Sequence, residues 1–220
     1  MPLATFELPS SLEPVEATPL TPEAFRQFGG VISSDHQLHT MKSIPANYGT
    51  ATKISKVSPI INNFQNAPSQ KPCTANFNLF RSTYPIKLIK RTGLREFVYL
   101  SGVLERHPFS TQTFLPMGVL ADEVAYLVIV AENSSGEYPS GDGLPDLKTL
   151  RAFVAKGNQA VTYNPGTWHA PMVSLKEVID FAVLIHENGV ADEDCQEVHI
   201  NPRVPIAFMS ATSSTVRAIL

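Results

Sequence analysis

From Val31 to His186 the apolar residues of this chain either alternate with polar ones or gather in runs too short for a helix. Residues that favour turns bound each run. Side chains of a strand alternate between faces, so a period of two marks half-buried strands, and a short continuous run marks a strand covered on both sides. The candidate strands are residues 50–57, 75–81, 88–94, 98–104, 114–117, 124–131, 159–163 and 181–186, with a further strand opening at Val31–Ile32. Many short strands with few helices predict a mainly β fold, a sandwich or a barrel. Two short helices are expected. The first spans residues 21–29, with Thr21 as N-cap, Pro22 at the first helical position and Gly29 as its stop. The second spans residues 145–153, capped by Asp146, and the Ser, Gly, Asp and Pro of residues 132–145 predict a surface loop before it.

Composition narrows the function classes. With 43 % hydrophobic and 17 % charged residues in 220, the chain can bury one sizeable core. Its organisation reads as an extended N-terminal arm (1–20), a single domain (21–200) and a C-terminal tail (201–220). A net charge of −3 and no basic stripe exclude nucleic acid as a partner. Cys73 and Cys195 lie far apart and outside any CxxC pair, which points to reduced thiols. No secretory signal is visible in residues 1–18, and the longest apolar run, 124–131, is too short to span a bilayer. The end, Ala218-Ile219-Leu220, is not a peroxisomal address. A soluble cytoplasmic protein without membrane partners is expected. Dinucleotide, P-loop, serine-hydrolase and HExxH motifs are all missing.

Two segments carry groups that can do chemistry. In Glu105-Arg106-His107, a strand would put Glu105 and His107 on one face and Arg106 on the other, with Gln112 further along. In Asn164-Pro165-Gly166-Thr167-Trp168-His169, a proline–glycine turn presents Trp168 and His169 in fixed order. If both face a barrel interior, a carboxylate, an amide and two imidazoles meet. Such groups suit a divalent first-row metal, or act as acid and base without one. On the plainer reading His107, before Pro108, ends a strand at the surface and Trp168 is core. Residues 192–195 read as a solvated acidic turn, in which the carboxylates raise the Cys195 pKa and suppress its thiolate.

Gly157, Gly166 and His169 resemble the second cupin motif. Glu105, His107, Gln112 and Gly118 resemble a degenerate first one, with glutamate for the first histidine and glutamine for the usual glutamate. A longer collinear series is similar to the ureidoglycolate lyase family, also called ureidoglycolate hydrolase. It comprises Asn47-Tyr48-Gly49-Thr50-Ala51 with Lys53, Arg81, Leu104 to Pro108, Thr111 to Met117, Pro145 to Phe153, Tyr163, Trp168 to Pro171, Asp180-Phe181 and Asp194-Cys195. The length suggests a fungal-type member.

The resemblance implies a cupin-like β-barrel (a double-stranded β-helix with a few short helices) and a homodimer. It implies cleavage of (S)-ureidoglycolate to glyoxylate and urea in allantoin and purine degradation. Some members carry a divalent metal, here nickel or zinc, which His107, His169, Gln112 and Glu105 would hold. Expected roles follow. Lys53 or Arg81 holds the substrate carboxylate, while His107 and His169 move protons. Glu105 orients His107 or serves as base, Gln112 bonds the ureido group, and Asn47, Tyr163 and Trp168 contact substrate. Two other functions remain open: an amidohydrolase releasing ammonia and carbon dioxide, and a non-catalytic cupin that binds a small organic acid.

Overall fold

The computed structural model describes residues 1–9, 11–134 and 143–209. Strands β1 (Ala4–Glu7) and β2 (Val15–Pro19) precede helix α1 (Pro22–Phe25) and β3 (Gly29–Ser33). After α2 (Ser34–Thr40) comes a hairpin of β4 (Ser43–Ala46) and β5 (Ala51–Ile54), then β6 (Thr74–Thr83), β7 (Ile89–Arg91) and β8 (Glu96–Arg106). Next follow β9 (Gln112–Met117), β10 (Val124–Asn133), β11 (Pro145–Lys156), β12 (Gln159–Tyr163) and the two-residue strands β13 (Trp168–His169) and β14 (Val173–Ser174). The chain closes with β15 (Val178–Glu187), α3 (Ala191–Asp194) and β16 (Gln196–Met209). No helix among the described residues is long and apolar enough to cross a membrane.

Two sheets face each other. The smaller runs β3-β12-β9-β15-β6, and the larger runs β1-β16-β2-β11-β10-β13-β8-β7 with β14 beside β10. Between them lies a core containing Phe25, Phe114, Tyr126, Val128, Val130, Phe153, Tyr163 and Phe181. This is the double-layered arrangement expected of a cupin-like barrel. Behind the larger sheet β16 returns to pair with β8, closing β8, β13, β10, β11, β2 and β16 into a six-strand ring. That ring has its own core of Leu104, Leu127, Ile129, Trp168, Val198 and Ile206. Strand β10 is shared. Tyr126, Val128 and Val130 enter the first core and Leu127, Ile129 and Ala131 the second, which is why its sequence runs apolar without alternation.

Helix α1 begins as its sequence predicts, with Thr21 Oγ1 accepting the Ala24 amide at 3.2 Å. The helix is shorter than the expected 21–29: it stops at Phe25, and Gly29 instead opens β3 at φ +152°, where a Cβ would lie 1.8 Å from the Thr162 carbonyl oxygen. Helix α2 is an addition, held by Gln37, which accepts the Ser33 amide and donates to the Val31 carbonyl. The helix expected over residues 145–153 is instead strand β11, antiparallel to β10. Asp146 does accept the Lys148 amide at 3.0 Å, and Thr149 Oγ1 donates to the Asp146 carbonyl at 2.7 Å. These local bonds imitate a cap but sit at a register shift between β10 and β11. Tertiary pairing, with Ala152, Phe153 and Ala155 buried, overrides the local signal. Most of the loop expected over residues 132–145 lies outside the described residues. Glu132, Asn133 and Pro145 themselves are in strands. Strand β2 lies parallel between β11 and β16, and β16 continues to Met209.

Candidate active site

Alternation along β8 sends Leu104 and Arg106 into the ring and turns Glu105 toward the facing sheet. β13 slots between β8 and β10, its His169 opposite Glu105 on one side and Val130 on the other. The turn before it is built by its sequence. Pro165 fixes the first central position, Gly166 takes φ +77° at the second, and the Thr167 amide bonds the Asn164 carbonyl at 3.1 Å. The Gly166 amide in turn donates to the His107 carbonyl at 2.8 Å. One backbone bond thus ties the two chemistry-bearing segments together.

A carbonyl oxygen can only accept, so it fixes the tautomer of any neutral imidazole bonded to it. His107 Nδ1 donates to the Asp194 carbonyl at 2.6 Å, and His169 Nδ1 donates to the Thr167 carbonyl at 2.8 Å. Both Nε2 atoms therefore present lone pairs. His107 Nε2 is buried without a partner among the described residues. His169 Nε2 lies 3.2 Å from Gln112 Oε1 and 3.7 Å from Glu105 Oε1. Tyr163 stacks on the His169 ring at 3.8 Å and 11°, and its buried hydroxyl also lacks a partner among the described residues.

Burial governs the charges here. It pushes the Glu105 carboxyl up to about 7, helped by Glu197 directly across from it on β16. It pulls the His169 imidazole down to about 3, with His107 nearby adding to the effect, and it lowers His107 as well. Both histidines are therefore neutral near pH 7 and serve as lone-pair donors. Cys195, beside the same mouth, is pushed up to about 12 by desolvation and then by Glu105, Glu197 and Asp194, so it is no nucleophile.

These groups fit a divalent cation. Ligand atoms of Glu105, His107 and His169 all lie within 4.8 Å of one another. Each histidine is oriented by a backbone carbonyl behind it, the usual support for a ligating imidazole. Gln112 Oε1 and His169 Nε2 are two acceptors at 3.2 Å. They repel unless the amide turns over or a cation lies between them.

The structure thus brings together Glu105, His107, Gln112, Tyr163 and His169. It does not bring the others. Trp168 is fully buried in the ring core, its indole donating to the Gly143 carbonyl at 3.2 Å beneath the Arg106 guanidinium. Arg81 is 68 % exposed and bound through two 2.8 Å hydrogen bonds to Asp180. Lys53 and Asn47 stand exposed on the β4–β5 hairpin. The acidic turn at residues 192–195 is not all solvated: Glu193 is buried and accepts from the Ser69 amide, the Ser69 hydroxyl and Asn188. Sequence reasoning missed Glu187, whose Oε2 accepts from Asn76 at 3.3 Å and Asn78 at 3.1 Å. The signal was present. Phe181, Val183 and Ile185 are buried on one face of β15, and one further step of two reaches Glu187.

Residues 12–207 match the family model for ureidoglycolate lyase. The chain belongs to the ureidoglycolate lyase family. The ureidoglycolate lyase of Schizosaccharomyces pombe is 43 % identical over 182 residues, 83 % of this chain and 89 % of that protein. That of Saccharomyces cerevisiae is 44 % identical, covering 84 % of this chain and 93 % of the yeast protein. The Burkholderia cepacia ureidoglycolate lyase is 29 % identical over 87 % of this chain and 89 % of its own length. Similarity to the two yeast proteins makes the chain a fungal-type ureidoglycolate lyase family member.

Proposed function

We propose that the pocket between the sheets cleaves (S)-ureidoglycolate to glyoxylate and urea. The observation that carries this reading is a carboxylate poised near neutrality, Glu105, beside two imidazole lone pairs in one buried pocket. Membership of the family supplies the substrate. In the reaction the carbinol hydroxyl loses its proton, its oxygen becomes the aldehyde of glyoxylate, and the C–N bond breaks with its electron pair leaving on nitrogen. That nitrogen then takes up a proton, completing urea. Glu105 accepts the hydroxyl proton and, now a carboxylic acid, returns it to the departing nitrogen. Neutral His107 and His169 orient the hydroxyl and ureido groups, Tyr163 offers its unpartnered hydroxyl, and Gln112 bonds the ureido amide. Holding all of these in one geometry supplies much of the rate. His107, His169 and Gln112, with Glu105 alongside, would hold a nickel or zinc ion, which when bound supplies positive charge that acidifies the hydroxyl. On this reading the protein is a cytoplasmic homodimer of allantoin degradation.

The base must be ionised, so kcat/KM for urea release is expected to rise with pH through about 7 and to fall about tenfold per unit well below it. A flat profile between pH 5 and 8 would remove Glu105 as the base.

A further inference from the structure

Ureidoglycolate is an anion, yet the pocket is acidic. The carboxylates bearing on Glu105 and His107 are Glu197, directly across from Glu105 on β16, with Glu187 and Asp194. No lysine or arginine among the described residues joins them. Arg106 points into the ring core and Arg81 is paired with Asp180. Among the described residues, the side chains of the pocket's own walls therefore give the substrate carboxylate no partner of opposite charge.

The missing charge has a counterpart elsewhere. Between Asp35 and Glu96 the sequence holds no aspartate or glutamate, and this stretch contains the β4–β5 hairpin with Lys53, flanked by Lys42 and Lys56. The two strands pack chiefly on each other and on the turn joining them. Ile44 and Tyr48 are exposed there, although a lone two-stranded hairpin is only marginally stable in water. At its tip Asn47 and Tyr48 both take positive φ, 49° and 56°, a conformation that non-glycine residues hold at a cost and that recurs where a contact has to be presented. The hairpin's roots are held on β3: α2 packs on that strand at one end, and Ser58 sits against Gly30 at the other. The outer face of the small sheet meanwhile exposes Phe77, Leu79 and Met117. A second copy accounts for both exposures.

We propose that the β4–β5 hairpin enters the acidic pocket mouth of a second copy of the chain and places Lys53 there as the cation for the substrate carboxylate. Each active site is then built from two chains. The inference rests on the lyase reading for its substrate and on charge complementarity for its partner. Strands of four residues reach about 13 Å, enough to carry a side chain across an interface.

Mixed dimers test it. The Lys53→Ala homodimer is expected to lose about 100-fold in kcat/KM, the scale of one charge-assisted hydrogen bond, while Lys53→Arg keeps most of the activity. A hybrid of one Lys53→Ala chain and one His169→Ala chain, purified by two different tags, then has one intact site and one carrying both lesions. It should release urea at about half the wild-type rate per dimer. A hybrid as inactive as its parents places Lys53 with its own chain, and a Lys53→Ala homodimer of wild-type activity removes it from the site. Either outcome overturns the proposal, as does a protein that stays monomeric. Wild-type protein that releases no urea would sink the lyase reading instead. The interchain contact is then judged separately, by carbodiimide coupling in dimers mixed from ¹⁴N and ¹⁵N chains. Lys53 should couple to Glu187 or Glu197 of the opposite chain, and coupling within one chain or none at all contradicts the proposal.

Discussion

Glu105→Gln is expected to lower kcat for urea release by about a thousandfold, within the range removed with a positioned proton-transfer group, while the fold stays intact. The same substitution should raise stability. The carboxyl is 21 % exposed, and burial pushes it up to about 7 from the ordinary 4.5 of a free glutamate. A carboxylate raised on folding makes its favourable contribution below the unfolded value and loses it as pH rises through the folded one. Above pH 7 the wild type therefore carries an ionised, poorly solvated group whose cost approaches about 3 kcal/mol. In protein stripped of metal with a chelator, Glu105→Gln at pH 8 should melt about 5–10 °C higher than wild type, and the gap should vanish near pH 4. Calorimetry at the two pH values checks the sign. A variant equally stable at both, with unchanged turnover, would mean that Glu105 is neither strained by burial nor engaged in the reaction.

The second large effect belongs to Trp168, and it falls on stability. The side chain is fully buried among Leu104, Ile129 and Val198, its indole bonds the Gly143 carbonyl, and Arg106 lies 4.7 Å above its ring. Truncation leaves a large cavity and strips the buried guanidinium of its aromatic partner, so Trp168→Ala should cost about 3–5 kcal/mol in denaturant melts. Because the indole faces the ring and not the pocket, KM of the folded variant at low temperature should stay within about twofold of wild type. A tenfold rise in KM with little loss of stability would instead return Trp168 to the substrate.

The sequence and the structure agree most closely where local chemistry and tertiary pairing point the same way. Thr21 and Pro22 start a helix, Pro165 and Gly166 make a turn, and the odd–even alternation around Glu105 and His107 puts both on the pocket side. The same alternation separates Trp168 from His169. Sequence reading placed both at the substrate because adjacency in the chain says nothing about which face meets which core. Strand β11 was hidden by Asp146 and Thr149, whose local bonds imitate a helix cap. Glu187 was hidden by a strand boundary drawn one residue short. Lys53 and Arg81 have suitable chemistry in the sequence, but position is a property of the whole fold: one stands on a projecting hairpin, the other is held by Asp180 on an outer face.

Product analysis on racemic ureidoglycolate tests the central claim most directly. Wild-type protein should release urea and glyoxylate in equal amounts, stop when half the racemate is consumed, and form no ammonia. Ammonia and carbon dioxide in place of urea would contradict the assigned bond cleavage, and binding without any product would leave the pocket a receptor for small acids.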